Sequence, residues 1–149
     1  MTRDLLIAEL KRDEGEVLHV YDDATGQAIV PGYTLKGHPT VGVGRALDVN
    51  PLTETESLYL LNGNIDKVQL DLNAAYPWFL TLDDVRQRVI INMTFNMGLH
   101  GLAGFPLMLG AVAAKDYEAA ADRMKSSIWY GQVGARAVRL VAMMRTGNA

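Results

Sequence analysis

Glu14 and Asp23, nine positions apart, are the residues whose types and spacing first suggest chemistry in this chain. Glu14 lies in Arg12-Asp13-Glu14-Gly15 and Asp23 in Tyr21-Asp22-Asp23-Ala24-Thr25-Gly26. A glycine-punctuated segment, Pro39-Thr40-Val41-Gly42-Val43-Gly44, follows. One carboxyl at a helix end and another in a turn between strands, facing each other across a cleft, are the minimum equipment for breaking a glycosidic bond. One group delivers a proton to the departing oxygen, and the other activates water or attacks the anomeric carbon. Glu14, beside Gly15, is the candidate acid, because partial desolvation keeps a carboxyl protonated near neutrality. Asp23, in a polar turn, is the candidate ionised partner, and Thr40 offers a hydroxyl that can hold a water. Spacing alone favours a plainer reading, with Glu14 a surface charge and Asp23 a turn-former.

The elements that must position these groups follow from periodicity. Residues 3–13 read as an amphipathic helix, with Leu6 and Leu10 four apart and Gly15 as its stop. Val17-Leu18-His19-Val20-Tyr21 reads as a strand and Asp22 to Gly26 as a turn. Residues 27–44, rich in Gly, Pro, Thr and Val, predict further short strands, bent at Pro31-Gly32 and Gly37-His38-Pro39. The result is a sheet of about three strands, too small to stand alone. From residue 52 the pattern is helical. Thr53-Glu54-Thr55-Glu56 fits a helix start, and a helix through Leu61 and another through Ile65-Leu72 are predicted, interrupted or kinked near Asn62-Gly63-Asn64. Thr81-Leu82-Asp83-Asp84 opens the strongest helix, with Val85, Val89, Ile90, Met93 and Met97 on one stripe and Gly98 closing it. Shorter helices are predicted over about 106–113, 116–125 and 135–144. The fold class is therefore α+β, in a single domain of 149 residues. A small antiparallel sheet lobe covers about 15–50 and linking helices about 52–75. A larger helical lobe covers about 76–149, with the first helix packed on it and a cleft between the lobes.

Composition narrows the function classes. Apolar residues make up 49% of the chain, enough for a core at this length. The net charge is −3, so no global basic field marks a nucleic-acid binder; only residues 120–149 are basic, with five Lys/Arg against one acid. There is no cysteine, which excludes disulfides and thiolate metal sites. The three histidines are scattered, and no zinc-ligand spacing is present. No metal or organic cofactor is expected. The charged N-terminus does not read as a signal peptide, and no apolar run approaches a membrane span. The methionines at 93, 97, 108, 143 and 144 read as core packing.

A family resemblance spans nearly the whole chain. Asp13-Glu14-Gly15, Tyr21-x-Asp23-x-x-Gly26 and Thr40-Val41-Gly42-Val43-Gly44 resemble the catalytic segment of the T-even bacteriophage-type lysozymes, the phage muramidases of glycoside hydrolase family 24. Ile91-Asn92-Met93-Thr94-Phe95-Asn96-Met97-Gly98 and Gly101-Leu102-Ala103-Gly104-Phe105 resemble the family's central helix and the turn after it. Ser126-Ser127-Ile128-Trp129-Tyr130, Ala135-Arg136-Ala137-Val138-Arg139 and Arg145-Thr146-Gly147 resemble its C-terminal part.

The resemblance implies roles. Glu14 matches the general acid, Asp23 the second catalytic carboxylate and Thr40 the threonine near the attacking water. Arg136 matches an arginine that approaches the acid from the helical lobe. Such a cation lowers a carboxyl pKa where an acid needs it raised, so desolvation by the cleft or by substrate must prevail. Asp13, Asn92 and Arg139 match a polar cluster that orients Glu14. Phe95 matches a cleft-floor position under a sugar. Ala46, Met108 and Asp122 fall on other substrate positions, with altered residue types.

The implied activity is that of an endolysin. It hydrolyses the β-1,4 bond between N-acetylmuramic acid and N-acetylglucosamine in bacterial peptidoglycan with inversion, as a monomer without nucleic-acid or stable membrane association. It is held in the host cytoplasm until a separate protein permeabilises the membrane. A lytic transglycosylase and a catalytically silent wall-binding module are the alternatives. Three departures stand out. The stretch between Asp23 and Thr40 is longer than in the T-even proteins and reads as an elongated hairpin or lip. Arg45 stands where the family has an ion-paired histidine. The acidic balance weakens long-range steering toward an anionic wall.

Overall fold

Gly15, at φ 77°, ends the first helix where the sequence places its stop, because a left-handed backbone there costs glycine no Cβ clash. In the computed structural model, which describes all residues Met1–Ala149, the chain divides into two compact units, Met1–Tyr59 and Leu60–Ala149.

The first unit holds α1 (Arg3–Glu14) and a three-stranded antiparallel sheet of β1 (Val17–Asp22), β2 (Pro39–Gly42) and β3 (Arg45–Ala46), in the order β1-β2-β3. Tyr21 pairs with Thr40 and Asp22 with Pro39, while Thr40 also pairs with Ala46 on the other side. Gly42 and Gly44, both at positive φ, make the tight β2–β3 turn. The strands predicted over 27–44 reduce to β2 and one isolated bridge, Tyr21 to Ala28. The rest of that segment folds as turns. α1 is amphipathic in spacing, yet none of its residues is buried.

α2 (Glu54–Ala75) starts within the first unit and runs as one helix through Asn62-Gly63-Asn64, where the sequence predicted an interruption or a kink. A lone glycine costs a helix interior only about 1 kcal/mol, and 22 residues of cooperative bonding absorb it. The helix start is a capping box: the Thr53 N–H and hydroxyl donate to Glu56 Oε2 at 2.8 and 2.7 Å, and the Glu56 N–H donates to Thr53 Oγ1 at 3.3 Å. The same carboxylate takes the Arg45 guanidinium, with Nη2 at 3.0 Å.

The Arg45 bond, then those from Thr53, push the Glu56 pKa down to about 2, against a smaller effect of burial. A folded value below the unfolded 4.5 means stability that is fully present above pH 4.5 and lost as pH falls through about 2. Glu56→Gln is therefore expected to lower the urea midpoint at neutral pH, and its deficit against the parent is expected to shrink steadily below pH 4.5. A deficit that stays constant across the acid range would show that the ion pair is not its source.

The second unit is helical: α3 (Asp84–Ala103), α4 (Pro106–Ala113), α5 (Tyr117–Lys125), α6 (Ile128–Val133) and α7 (Ala135–Thr146). Asp83 caps α3 by accepting from the Arg86 N–H at 3.0 Å. The helix breaks at Gly98 (φ 73°, ψ 167°), the predicted stop, and then resumes to Ala103. α6 was not read from the sequence; Ser127 caps it, and Trp129 Nε1 ties it to Asn96 Oδ1 of α3 at 2.8 Å. The core gathers Leu72, Phe79, Val89, Ile90, Met93, Leu102 and Val112, all fully buried. Met108 and Met144 join them, and Met97 and Met143 pack against the edge, as the apolar spacing predicted. No single helix is long and apolar enough to cross a membrane.

Candidate active site

The β1–β2 register decides what stands beside Asp23. Asp22 closes β1 opposite Pro39, so Asp23 emerges next to His38, the residue before β2. The two are joined reciprocally: the Asp23 N–H donates to the His38 carbonyl at 3.1 Å, and the His38 N–H donates to Asp23 Oδ1 at 2.7 Å. The Thr40 hydroxyl donates to the same His38 carbonyl at 3.2 Å. One carbonyl thus holds both Asp23 and Thr40. Asp23 is exposed, whereas Thr40 is 3% exposed.

Glu14 is the last residue of α1 and is exposed. Its carboxylate lies over the β2–β3 turn, since a Cβ on Gly44 would fall 3.6 Å from Oε2. Asp23 is therefore anchored at the start of β2 and Glu14 beyond its end, with Thr40 in the strand between. Asp13, next to Glu14, takes the Arg12 guanidinium, with Nε at 2.8 Å from Oδ1.

The acid that sequence reasoning missed is Asp22. It is fully buried and accepts four hydrogen bonds. Oδ1 receives the N–H groups of Ala24 and Gly37 at 3.0 and 2.9 Å, and Oδ2 receives the Lys36 N–H at 2.7 Å and the Tyr33 hydroxyl at 2.9 Å. Burial pushes its pKa up, but the four donors outweigh burial and hold the carboxyl below its usual value. The segment between Asp23 and Thr40, read as an elongated hairpin or lip, opens as a short hairpin onto β1, with the Asp22 N–H on the Gln27 carbonyl at 2.9 Å and the Ile29 N–H on the Val20 carbonyl at 3.0 Å, and then folds back to this carboxylate. Only the adjacent pair Asp22-Asp23 signals it in the sequence, and the pair does not say which acid turns inward. At the loop's end the His38 ring pairs with Asp48 (Nδ1 to Oδ2, 2.9 Å). Chiefly through that bond, the His38 pKa is raised above 6.5.

In the second unit, Arg136 of α7 clamps Asn92 of α3: Nε donates to Oδ1 at 2.7 Å and Nη2 to the backbone carbonyl at 3.0 Å. The resemblance assigned these two residues to different roles, and the structure makes them one pair. With Phe95, Ile91, Arg88, Leu61, Ile65 and Gln69 they line a groove of about 440 Å³. Phe95 is 39% exposed there, so its ring is not plain core. Arg139 is exposed on α7. Among the other expected substrate positions, Ala46 is half-buried in β3. Asp122 is exposed and paired with Arg145 at 2.6 Å. Met108 is 1% exposed and belongs to the core, which leaves it almost no surface to offer a sugar.

The chain is 32% identical over 156 residues to the pre-baseplate central spike protein Gp5 of Enterobacteria phage T4. That match takes in 93% of this chain but spans only 27% of the spike protein's length. It is 27% identical over 157 residues to probable T4-type lysozyme 1 of Dictyostelium discoideum, covering 93% of this chain and 92% of the relative. Against probable T4-type lysozyme 2 of the same organism the identity is 24% over 169 residues, with the same coverage. No family model matches the chain. Similarity along nearly the whole of two relatives, in a chain that folds as a small antiparallel sheet unit and a helical unit, makes this protein a homologue of the T4-type lysozymes.

Proposed function

We propose that this protein is a phage-type endolysin of glycoside hydrolase family 24. It hydrolyses the β-1,4 bond between N-acetylmuramic acid and N-acetylglucosamine in peptidoglycan and so lyses the host cell. The observation that carries the reading is the arrangement on one small sheet: Asp23 and Thr40 share the His38 carbonyl at the start of β2, and Glu14 stands over the turn at its far end. Homology to the T4-type lysozymes supports it.

Asp23 takes a proton from a water beside Thr40, whose hydroxyl gives its own proton to the His38 carbonyl and so can only accept from that water, and the water oxygen bonds to the anomeric carbon. The glycosidic bond breaks, and Glu14 gives its proton to the departing oxygen of N-acetylglucosamine. Glu14 is exposed, so the exclusion of water that favours proton transfer falls to the bound sugar chain. Phe95 packs under a sugar ring, and the Arg136–Asn92 clamp stiffens the wall of the groove that Phe95 lines. The reaction inverts the anomeric centre. The enzyme works as a monomer on the wall after a separate protein has permeabilised the membrane.

Digestion of purified peptidoglycan tests the reading. Mass spectrometry is expected to find hydrated muramic acid reducing ends, and proton NMR during the first turnovers is expected to find the α-anomer. Anhydromuramyl ends would assign a lytic transglycosylase instead, and initial β-anomer would replace inversion by a glycosyl-enzyme route.

A further inference from the structure

The loop between Asp23 and Thr40 contains more construction than a tolerated extension needs. Its buried centre is Asp22, whose two oxygens gather four donors from residues as far along the chain as Gly37. Two of those donors, the Lys36 and Gly37 N–H groups, belong to the residues just before His38. Pulling them onto Asp22 draws the Gly37-His38 peptide against Asp23. The approach is so close that a Cβ on Gly37 would fall 2.1 Å from Asp23 Oδ1, 2.7 Å from the Ala24 Cβ and 2.9 Å from the Ala24 nitrogen. Real contacts of that kind do not occur, and one of the three groups is backbone, which cannot swing aside. Gly37 thus lacks a side chain because the Asp23 carboxylate occupies the space. What the approach achieves is the 2.7 Å bond from the His38 N–H to Oδ1.

We propose that Asp22 and Gly37 are the positioning residues of Asp23. Asp22 folds the inserted loop back on itself, and the bare Gly37 lets the His38 N–H clamp Oδ1, which leaves Oδ2 as the oxygen that receives the proton from water. The loop is thereby a scaffold for the base and not a sugar-binding lip. This inference rests on the reading of Asp23 as the base. It extends that reading by naming what holds the carboxylate in one orientation, which matters because a displacement of about 1 Å at a reacting group costs roughly 10²-fold in rate.

The test compares Gly37→Ala, Tyr33→Phe and Asp23→Asn with the parent on soluble peptidoglycan fragments, with kcat and KM determined separately and folding checked by circular dichroism and thermal melting. Gly37→Ala is expected to lose about 10²-fold in kcat with KM unchanged. Tyr33→Phe removes one donor from Asp22 and is expected to lose less, again in kcat alone. It decides the matter if the glycine variant does not fold. Parent kcat in folded Gly37→Ala, with Asp23→Asn inactive, overturns the positioning role and leaves the base reading intact. A raised KM at parent kcat in Tyr33→Phe overturns it in favour of sugar contact by the loop. Full activity in Asp23→Asn removes the base reading and this inference with it.

Discussion

Glu14→Gln is expected to lower peptidoglycan hydrolysis by about 10²–10⁴-fold, the range that a positioned general acid contributes. Glutamine keeps the shape of the side chain and its hydrogen-bonding reach but has no proton to give, so the departing sugar oxygen must leave as an alkoxide or draw a proton from water. The fold has little to lose. Glu14 is the last residue of α1 and is exposed, a setting where substitutions typically change stability by no more than about 0.5 kcal/mol. A loss of activity at an unchanged melting temperature therefore isolates the chemistry. The measurement is release of reducing ends from purified cell walls, alongside binding of the variant to intact walls. Binding is expected to survive, because the groove with Phe95 and Arg136 is untouched. A Glu14→Gln protein with parental turnover would remove the acid assignment.

A large stability effect outside the apolar core is expected at Arg86. Its side chain is 12% exposed and does several things at once. Nε donates to the Met144 carbonyl at 2.9 Å and Nη2 to the Arg145 carbonyl at 3.2 Å, which satisfies the open end of α7. Nη1 pairs with the α3 cap residue Asp83 at 2.6 Å, and the guanidinium lies 3.6 Å above the Tyr117 ring of α5. Gly147, at φ 70°, leaves the room, since a Cβ there would fall 2.7 Å from Nη1. One group thus pins three helices. Arg86→Ala is expected to cost about 2–4 kcal/mol, because hydrogen bonds to a charged group are worth about 1.5–3 kcal/mol each and are not fully additive. At this length that is a fall of roughly 4–16 °C in melting temperature, read by calorimetry. Arg86→Lys is expected to recover only part of it, because an ammonium cannot fork to two carbonyls and stack on a ring together. A shift within 1 °C for Arg86→Ala would show that the α7 end is held by other means.

Local signals are what the sequence carries well. Asp83, Thr53 and Gly15 announce helix ends through their own side chains or lack of one, and the structure uses each as predicted. The stripe from Val89 to Met93 marks the buried face of α3, because helical spacing brings those residues together whatever lies opposite. Gly98 was legible as a break for the same reason. Gly63 was misleading. A glycine lowers the odds of a helix by a small increment, and the 22-residue run of α2 overrides it. The partners of Arg45 were not legible either. The altered residue type excluded the family's histidine pair, but only the fold brings Glu56 of the capping box to the guanidinium.

The candidate site divides along the same line. Glu14, Asp23 and Thr40 are candidates because their types and order match the family motif; spacing alone favoured a surface charge and a turn-former, although a helix end, a turn and a strand are local objects that sequence can place. Asp22 had no role in the sequence reading, because composition and turn propensity do not say that the neighbour of a candidate base turns inward. The β1–β2 register and the pleat separate Asp22 from Asp23: successive side chains at a strand end point to opposite sides, so one carboxylate goes into the loop's centre and the other outward. The same holds for Gly37, whose missing side chain matters only because Asp23 lies where a Cβ would be, and for Arg136, whose clamp on Asn92 joins residues 44 positions apart. The sequence by itself marked most of the helices and the small sheet, and the family resemblance marked the two candidate acids. Tertiary structure alone decided which atoms hold them, because hydrogen-bond partners distant in the chain are chosen by where the backbone brings them within about 3 Å.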